Sequence, residues 1–259
     1  MEKIIKMKIL RALILTLSFI IPISSFAAGN SDQKIPKHEW SFTGLTGTFD
    51  KSAIQRGYKV YREVCSGCHS MNLLYYRDLI DIGFSEDQIK AIASDYTVID
   101  GPNDEGEMFE RSAKPADRFV SPYANDQEAR ISNNGSYPPD LSVIVKARKN
   151  GADYLYNLLL GYDEPPQGFE LSEGMYYNKW YEGHQIAMAQ PLDDEYVDYD
   201  DGTENTLPQL AEDVVTFLAW SAEPELEVRK NMGIKVILFF LITGLLFYLM
   251  KVRLWKDVS

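Results

Sequence analysis

Cys65-Ser66-Gly67-Cys68-His69 is the stretch on which the reading of this chain turns. Two thiols spaced by two residues and followed at once by an imidazole form the attachment pattern for a c-type haem. At a helix start, such thiols reach the two vinyl groups of one macrocycle, and the histidine is carried beneath the ring as an axial iron ligand. Cys65 and Cys68 are the only cysteines in the 259 residues, so the pattern is not selected from many. A thioredoxin-like redox pair would need a βαβ setting that the flanking sequence lacks, and it would leave His69 without a role. A zinc site would need a fourth ligand from His38, His184 or a carboxylate, with no second cysteine pair to complete a familiar set.

Working outward, Ile54, Tyr58, Tyr61 and Val64 fall at helical spacing and predict a helix over 52–64 that leads into Cys65. Ser85 with Gln88 reads as a capping box ahead of Ile89 and Ile92. Residues 28–50 read as an extended lead-in. The charged, turn-rich stretch 100–134 supports no assignment. Pro138-Pro139-Asp140-Leu141 forces an extended start and then a helix, with Val143, Ile144 and Ala147 on its buried side. Asp153 to Leu160 is helical, stopped by Gly161 and Pro165-Pro166. Residues 161–207 read as a long ordered loop of the kind that usually carries function. Leu207-Pro208 opens a further helix with Leu210, Val214, Phe217 and Leu218 inward. Strand signals are few, so the expected class is mainly α, with long ordered loops.

Both ends of the chain are apolar. Lys3, Lys6, Lys8 and Arg11 precede an apolar run from Ala12 to Ile23, and Ser25-Phe26-Ala27 closes it as a small-residue cleavage site. This is the pattern of a secretory signal peptide over 1–27. Near the other end, Gly233 to Met250 is long enough, at about 1.5 Å per residue, to cross a bilayer as one helix. Lys251, Arg253, Trp255 and Lys256 follow as interfacial anchors. The expected organisation is therefore an exported domain over 28–228 and an anchor with a short cytoplasmic tail over 229–259. The expected location is the inner (cytoplasmic) membrane, single-pass, with the domain on the periplasmic side.

The charge balance of −12 disfavours a nucleic-acid partner, and residues 28–228 alone carry 16 basic and 36 acidic residues. The acids cluster at 193–204 and at 100–110, in surfaces that would attract a basic protein. For the sixth iron position, Met108, Met175, Met188, His38 and His184 are all candidates. Met71 lies too near His69 to reach the opposite face. Met188 sits in Ile186-Ala187-Met188-Ala189-Gln190-Pro191, a small-residue loop stiffened by proline that could approach a ring closely. A methionine or a second histidine there would leave electron transfer as the chemistry, and an open position would allow peroxidase or gas binding.

Several segments together resemble the cytochrome c1 family. They are Arg56-Gly57-Tyr58 with Tyr61 and Val64, Ser70-Met71, Tyr76-Arg77-Asp78-Leu79, Asn133-Asn134-Gly135, Pro138 to Ser142, Lys146-Ala147-Arg148, Gly161-Tyr162 with Glu164-Pro165-Pro166, the Ile186 to Pro191 loop and Glu223-Pro224. The order is collinear from about Trp40 onward. The resemblance implies a cytochrome c-like haem domain with one C-terminal transmembrane helix and one covalent haem c on Cys65 and Cys68. It implies His69 and Met188 as the iron ligands, and Arg148 pairing with a haem propionate. Asn133, Pro138, Pro139, Tyr154 and Ile186 would line the pocket. His184 departs from the family pattern and is expected at the surface. By the same resemblance the chain would be a redox subunit of ubiquinol–cytochrome c oxidoreductase, not an enzyme on its own. It would pass electrons from a Rieske iron–sulfur subunit to a c-type cytochrome, beside cytochrome b, in a dimeric complex.

Overall fold

Asp50 starts the first helix by accepting hydrogen bonds from the main-chain N–H groups of Ser52 and Ala53 at 2.9 and 3.3 Å. That helix, α1, spans Lys51–Glu63 and buries Ile54, Tyr58 and Tyr61 as the periodicity predicts, together with Ala53, Gly57 and Val60. A 3₁₀ turn over Cys65–Gly67 follows directly, and a second one covers Tyr76–Ile82. Then come α2 (Glu86–Ser94), the antiparallel hairpin of β1 (Thr97–Asp100) and β2 (Phe109–Ser112), α3 (Asp126–Ser132), α4 (Ile144–Ala147) and α5 (Gly151–Leu160). The chain closes with the short antiparallel pair β3 (Tyr176–Tyr177) and β4 (Gln185–Ile186), then α6 (Leu207–Ala222) and α7 (Leu226–Trp255). This computed structural model describes residues 34–256, so the expected signal peptide at 1–27 lies outside the described residues.

The core forms where α1 crosses α6. A methyl group on Gly57 would lie 1.9 Å from the Asp213 carbonyl oxygen and 2.8 Å from Phe217 Cβ, so the two backbones meet with no room for a side chain. Beside this contact Arg56 grips Asp213 with two hydrogen bonds, Nε to Oδ2 at 2.8 Å and Nη2 to Oδ1 at 2.9 Å. The Asp213 side chain is fully buried. A buried carboxylate is tolerable only with its charge matched and its oxygens occupied, and Arg56 does both. Tyr58 and Tyr61 each pack on Phe217 with ring centroids 5.6 Å apart, and Phe119 joins Tyr61 to Tyr76.

The extended lead-in ties distant elements together. Asp153 on α5 accepts from the Trp40 indole at 2.8 Å and from the His38 main chain at 3.1 Å. At its far end Lys230 donates to the carbonyls of Phe42 and Gly47 at 2.7 and 2.9 Å, and Glu227 accepts from the Phe49 N–H at 2.9 Å. Both charged groups belong to the first turns of α7. That helix begins at Leu226, ahead of the apolar run, and it is long and apolar enough to cross a membrane. Beyond the buried Leu226 and the half-buried Ile234, its large apolar side chains are exposed.

Some expectations are corrected. The motif of two cysteines lies at the C-terminal end of a helix, not at a helix start. The helix after Pro139 is a single turn, with Ile144 buried but Val143 and Ala147 exposed. Arg148 is extended and Asn150 takes a left-handed φ of 67°, so the turn cannot grow into a helix with a continuous inner face. The unassigned stretch 100–134 holds most of a hairpin whose Ile99, Met108 and Phe109 face solvent, along with α3.

The crossing supplies the first test. Gly57→Ala is expected to cost at least about 3 kcal/mol, because backbone, not a flexible side chain, must move. Asp213→Ala is expected to cost about 1.5–3 kcal/mol, because the Arg56 fork loses both of its buried hydrogen bonds and keeps only the more exposed Asp201 as partner. Denaturant unfolding of the full chain measures both, and losses under about 1 kcal/mol would refute the assignment of this contact as the structural keystone.

Candidate functional site

Two walls carry the candidate residues, and different parts of the chain build them. The first follows the cysteine motif. The N–H groups of Cys68 and His69 both bond the Cys65 carbonyl, at 3.1 and 2.9 Å, which curls the motif into a tight turn at the end of α1. Ser66 Oγ donates back to the Arg62 carbonyl at 2.7 Å, and the Tyr61 hydroxyl donates to the His69 carbonyl at 3.2 Å. Cys65 is half-buried and Cys68 exposed, and both thiols are free. Burial, reinforced by Cys68, pushes the Cys65 thiol up to about 12.

His69 is oriented by Pro139. The two residues meet at 2.8 Å between the imidazole Nδ1 and the Pro139 carbonyl oxygen. A carbonyl can only accept, so Nδ1 carries the proton and Nε2 keeps its lone pair. Burial pulls the His69 pKa below its ordinary value, against the raising effects of the Pro139 bond and the Asp140 charge, so the ring stays neutral. A neutral imidazole with its outer nitrogen bound to a carbonyl is the form that ligates a metal through Nε2. Among the described residues no group of three or more His, Cys, Asp or Glu could hold a metal ion. The donor set therefore fits a macrocycle that brings its own nitrogens better than it fits a zinc centre.

Asp140 locks this wall. Its carboxylate accepts from Ser70 Oγ at 2.9 Å, the Asn72 N–H at 2.7 Å and the Ser142 N–H at 2.9 Å. The Leu141 N–H reaches the Ser70 carbonyl at 2.8 Å. Segment 138–142 is thus stitched to the residues just past His69. Burial pushes the Asp140 carboxyl up, but these hydrogen bonds outweigh it and hold the group below the usual carboxylate range. Asn133 caps the end of α3 and donates to the Ala129 carbonyl and the Tyr123 hydroxyl at 2.7 and 3.0 Å. A cavity of about 250 Å³ beside it is bordered by Cys68, Ser70, Ala129, Tyr137 and Pro138.

The second wall carries Ile186 and Met188. Ile186 is buried and pairs with Tyr176, and the half-buried Met188 follows just beyond β4. The Tyr162 hydroxyl donates to the Met188 carbonyl at 3.0 Å. Fully buried Asn178 is the hub, donating to the Leu158 carbonyl at 2.8 Å and accepting from the N–H groups of Trp180 and Tyr181. Tyr154 lies on α5, its phenol raised by burial first and then by Tyr181, with Arg148 acting to lower it. Arg148 is exposed, donates to the Ala147 carbonyl at 3.2 Å, and pairs with no carboxylate among the described residues. An unmatched guanidinium of this kind suits an anionic group that the chain itself does not supply.

The structure thus groups Cys65, Cys68, His69, Pro138, Pro139 and Asn133 on one wall, and Met188, Ile186, Tyr154 and Arg148 on the other. His184, expected at the surface, is half-buried and stacked on Tyr177 with centroids 5.9 Å apart. Its backbone has a φ of 58°, and its Nδ1 is buried without a hydrogen-bond partner. Asp140, Tyr162 and Asn178 were not singled out from the sequence. Asp140 and Tyr162 stand inside the quoted segments, but no spacing rule points to their bonds, and Asn178 carries no local signal at all.

A family model described as the Cytochrome C1 family matches residues 40–258. A protein of Arabidopsis thaliana named "Cytochrome c1 1, heme protein, mitochondrial" is 50% identical over 202 residues, covering 78% of this chain and 66% of its own length. Against such plant relatives the chain therefore spans just under two thirds of their length. "Cytochrome c1" of Rhodospirillum rubrum is 40% identical over 268 residues, covering 97% of this chain and 98% of the relative. The "Cytochrome b-c1 complex catalytic subunit, mitochondrial" of Candida albicans is 44% identical over 225 residues, covering 86% and 78%.

Asp140 yields a pH test. Its pKa is lowered in the folded chain, so its stabilisation is full above the ordinary carboxylate value near ~4 and is lost as pH falls through the lowered folded value. Asp140→Asn is expected to cost about 1–2 kcal/mol at neutral pH, with the difference from wild type closing in acid. Unfolding midpoints measured across pH check it, and a difference that persists unchanged into acid would refute the role of the charge.

Proposed function

The chain belongs to the cytochrome c1 family, and from that premise we propose that it is the haem-bearing electron-transfer subunit of a membrane-bound cytochrome b–c1 complex. The observation that carries this reading is the His69–Pro139 bond, which presents a neutral imidazole with a bare Nε2 directly after two free thiols. Cys65 and Cys68 would hold the haem covalently, with His69 and Met188 as the two axial ligands. Asn133, Pro138, Pro139, Tyr154 and Ile186 would line the pocket, and Arg148 would meet a propionate. When bound, haem c supplies a one-electron iron couple, and a thioether and imidazole pair suits electron transfer rather than small-ligand chemistry.

The residues of the chain perform the remaining tasks. Pro139 and Asp140 fix the imidazole plane, and the Ile186 to Pro191 loop offers the sulfur. The electron would come from a Rieske iron–sulfur subunit and leave to a c-type cytochrome. Helix α7 would lie beside cytochrome b within a dimeric complex, following a signal peptide at 1–27 and holding the domain on the periplasmic side of the membrane. The relative from Candida albicans is named for a cytochrome b-c1 complex, which supports the assembly.

Charge bears on where a basic acceptor would dock. In the 193–204 cluster, Asp200 pairs with Lys59 at 3.1 Å and Asp201 with Arg56 at 2.9 Å. Asp194 accepts from the Leu207 N–H at 2.7 Å, and Asp198 meets Asn205 at 3.4 Å. Much of that cluster is therefore spent on holding its own loop. Asp104, Glu105, Glu107 and Glu110 are exposed and pair with no cation among the described residues, which supports the hairpin as the steering surface.

Purification in mild detergent tests the assembly. The chain is expected to co-purify with b-type haem and an iron–sulfur subunit, and isolation as a solitary haem protein would overturn the complex. Carbon monoxide tests the coordination. The ferrous wild type is expected to bind it weakly at neutral pH and Met188→Leu strongly, whereas equal binding by both would remove Met188 from the iron.

A further inference from the structure

Between the buried Ile186 and the buried Leu192, the loop that carries Met188 contains no helix or strand. Gln190 Nε2 reaches the Leu192 carbonyl at 2.9 Å and steadies its far end. At Met188 itself the main chain is held by the Tyr162 hydroxyl, 3.0 Å from the carbonyl oxygen. From this geometry we infer that Tyr162 is the positioning residue for the Met188 sulfur, a tether that keeps the ligand loop closed against displacement. The inference rests on the reading of Met188 as an axial ligand.

Tyr162 is itself built rigidly. It follows Gly161 at the end of α5, where an added methyl group would lie 2.6 Å from Trp180 Cδ1, 2.8 Å from Asn178 Oδ1 and 2.9 Å from the Asn157 carbonyl oxygen. The Gly161 carbonyl accepts from the Lys179 N–H at 2.8 Å, and Tyr162 bridges to Asn178. Asn178 in turn donates its N–H to the His184 carbonyl at 3.1 Å. Backbone from three segments therefore aims one phenol. A phenol is protonated at neutral pH, so it remains a donor. Its target is the one residue in the loop whose side chain would reach iron, and the bond spans 26 residues of sequence.

A tether of this kind acts on an equilibrium. An added ligand can take the sixth position only in molecules whose loop has swung away, so its apparent affinity follows the open population. Removing one neutral hydrogen bond should raise that population roughly three- to tenfold.

Imidazole titration of the haem-loaded, full-length ferric protein tests this, with Tyr162→Phe compared with wild type. The expected result is roughly three- to tenfold tighter imidazole binding, with the unfolding midpoint by far-ultraviolet circular dichroism nearly unchanged. Unchanged imidazole affinity would overturn the inference, whether or not the unfolding midpoint falls, because a purely structural bond would move only the latter. Met188→Leu separates the underlying reading. Loss of the sulfur-to-iron charge-transfer band in that variant supports axial ligation, and survival of the band removes both the ligand assignment and the role of Tyr162.

Discussion

One contact sets the terms for the rest of the molecule, the backbone-to-backbone approach of α1 and α6 at Gly57 and Asp213. Two helices this close bury the aromatic faces of Tyr58, Tyr61 and Phe217 between them. The burial of Asp213 would be costly alone, and the Arg56 fork turns that cost into a fixed register. Because α1 runs straight into the cysteine turn, its register decides where Cys65, Cys68 and His69 stand. The same Arg56 holds Asp201, so the acidic loop before α6 is set by the same clamp.

The site is assembled by small, local devices on that frame. A proline carbonyl chooses the tautomer of His69, and a carboxylate with three donors joins the segment of that proline to the motif. On the other wall an asparagine with no charge and no periodic signature ties the end of α5 to the turn at Trp180 and Tyr181. Neither device contributes much burial. Their effect is geometric: each fixes the direction in which a neighbouring group points.

The helices were legible where one face had to be apolar. Ile54, Tyr58 and Tyr61 announced α1, and Leu210, Val214 and Phe217 announced α6. The capping box at Ser85 and Gln88 marked α2, and both of its reciprocal bonds are present. The hairpin escaped because it is short and buries little: β1 alternates exposed and half-buried residues over only four positions, and in β2 only Arg111 is half-buried. Val143 and Ala147 misled because a single turn followed by an extended Arg148 has no inward stripe to fill. The Cys65 to His69 pattern was readable from spacing alone. Tyr162 and Asn178 were not, since a hydrogen bond across many residues leaves no trace in a local pattern.

The lead-in has a mechanical meaning. Lys230 and Glu227 on the first turns of α7 are fastened to Phe42, Gly47 and Phe49, and the same segment is fastened to α5 through Trp40 and Asp153. Swivelling the domain about its stalk would break either the Lys230 and Glu227 links or the bond that ties the lead-in to α5. The stalk and the head therefore behave as a single lever without an elbow, whose length is set at folding.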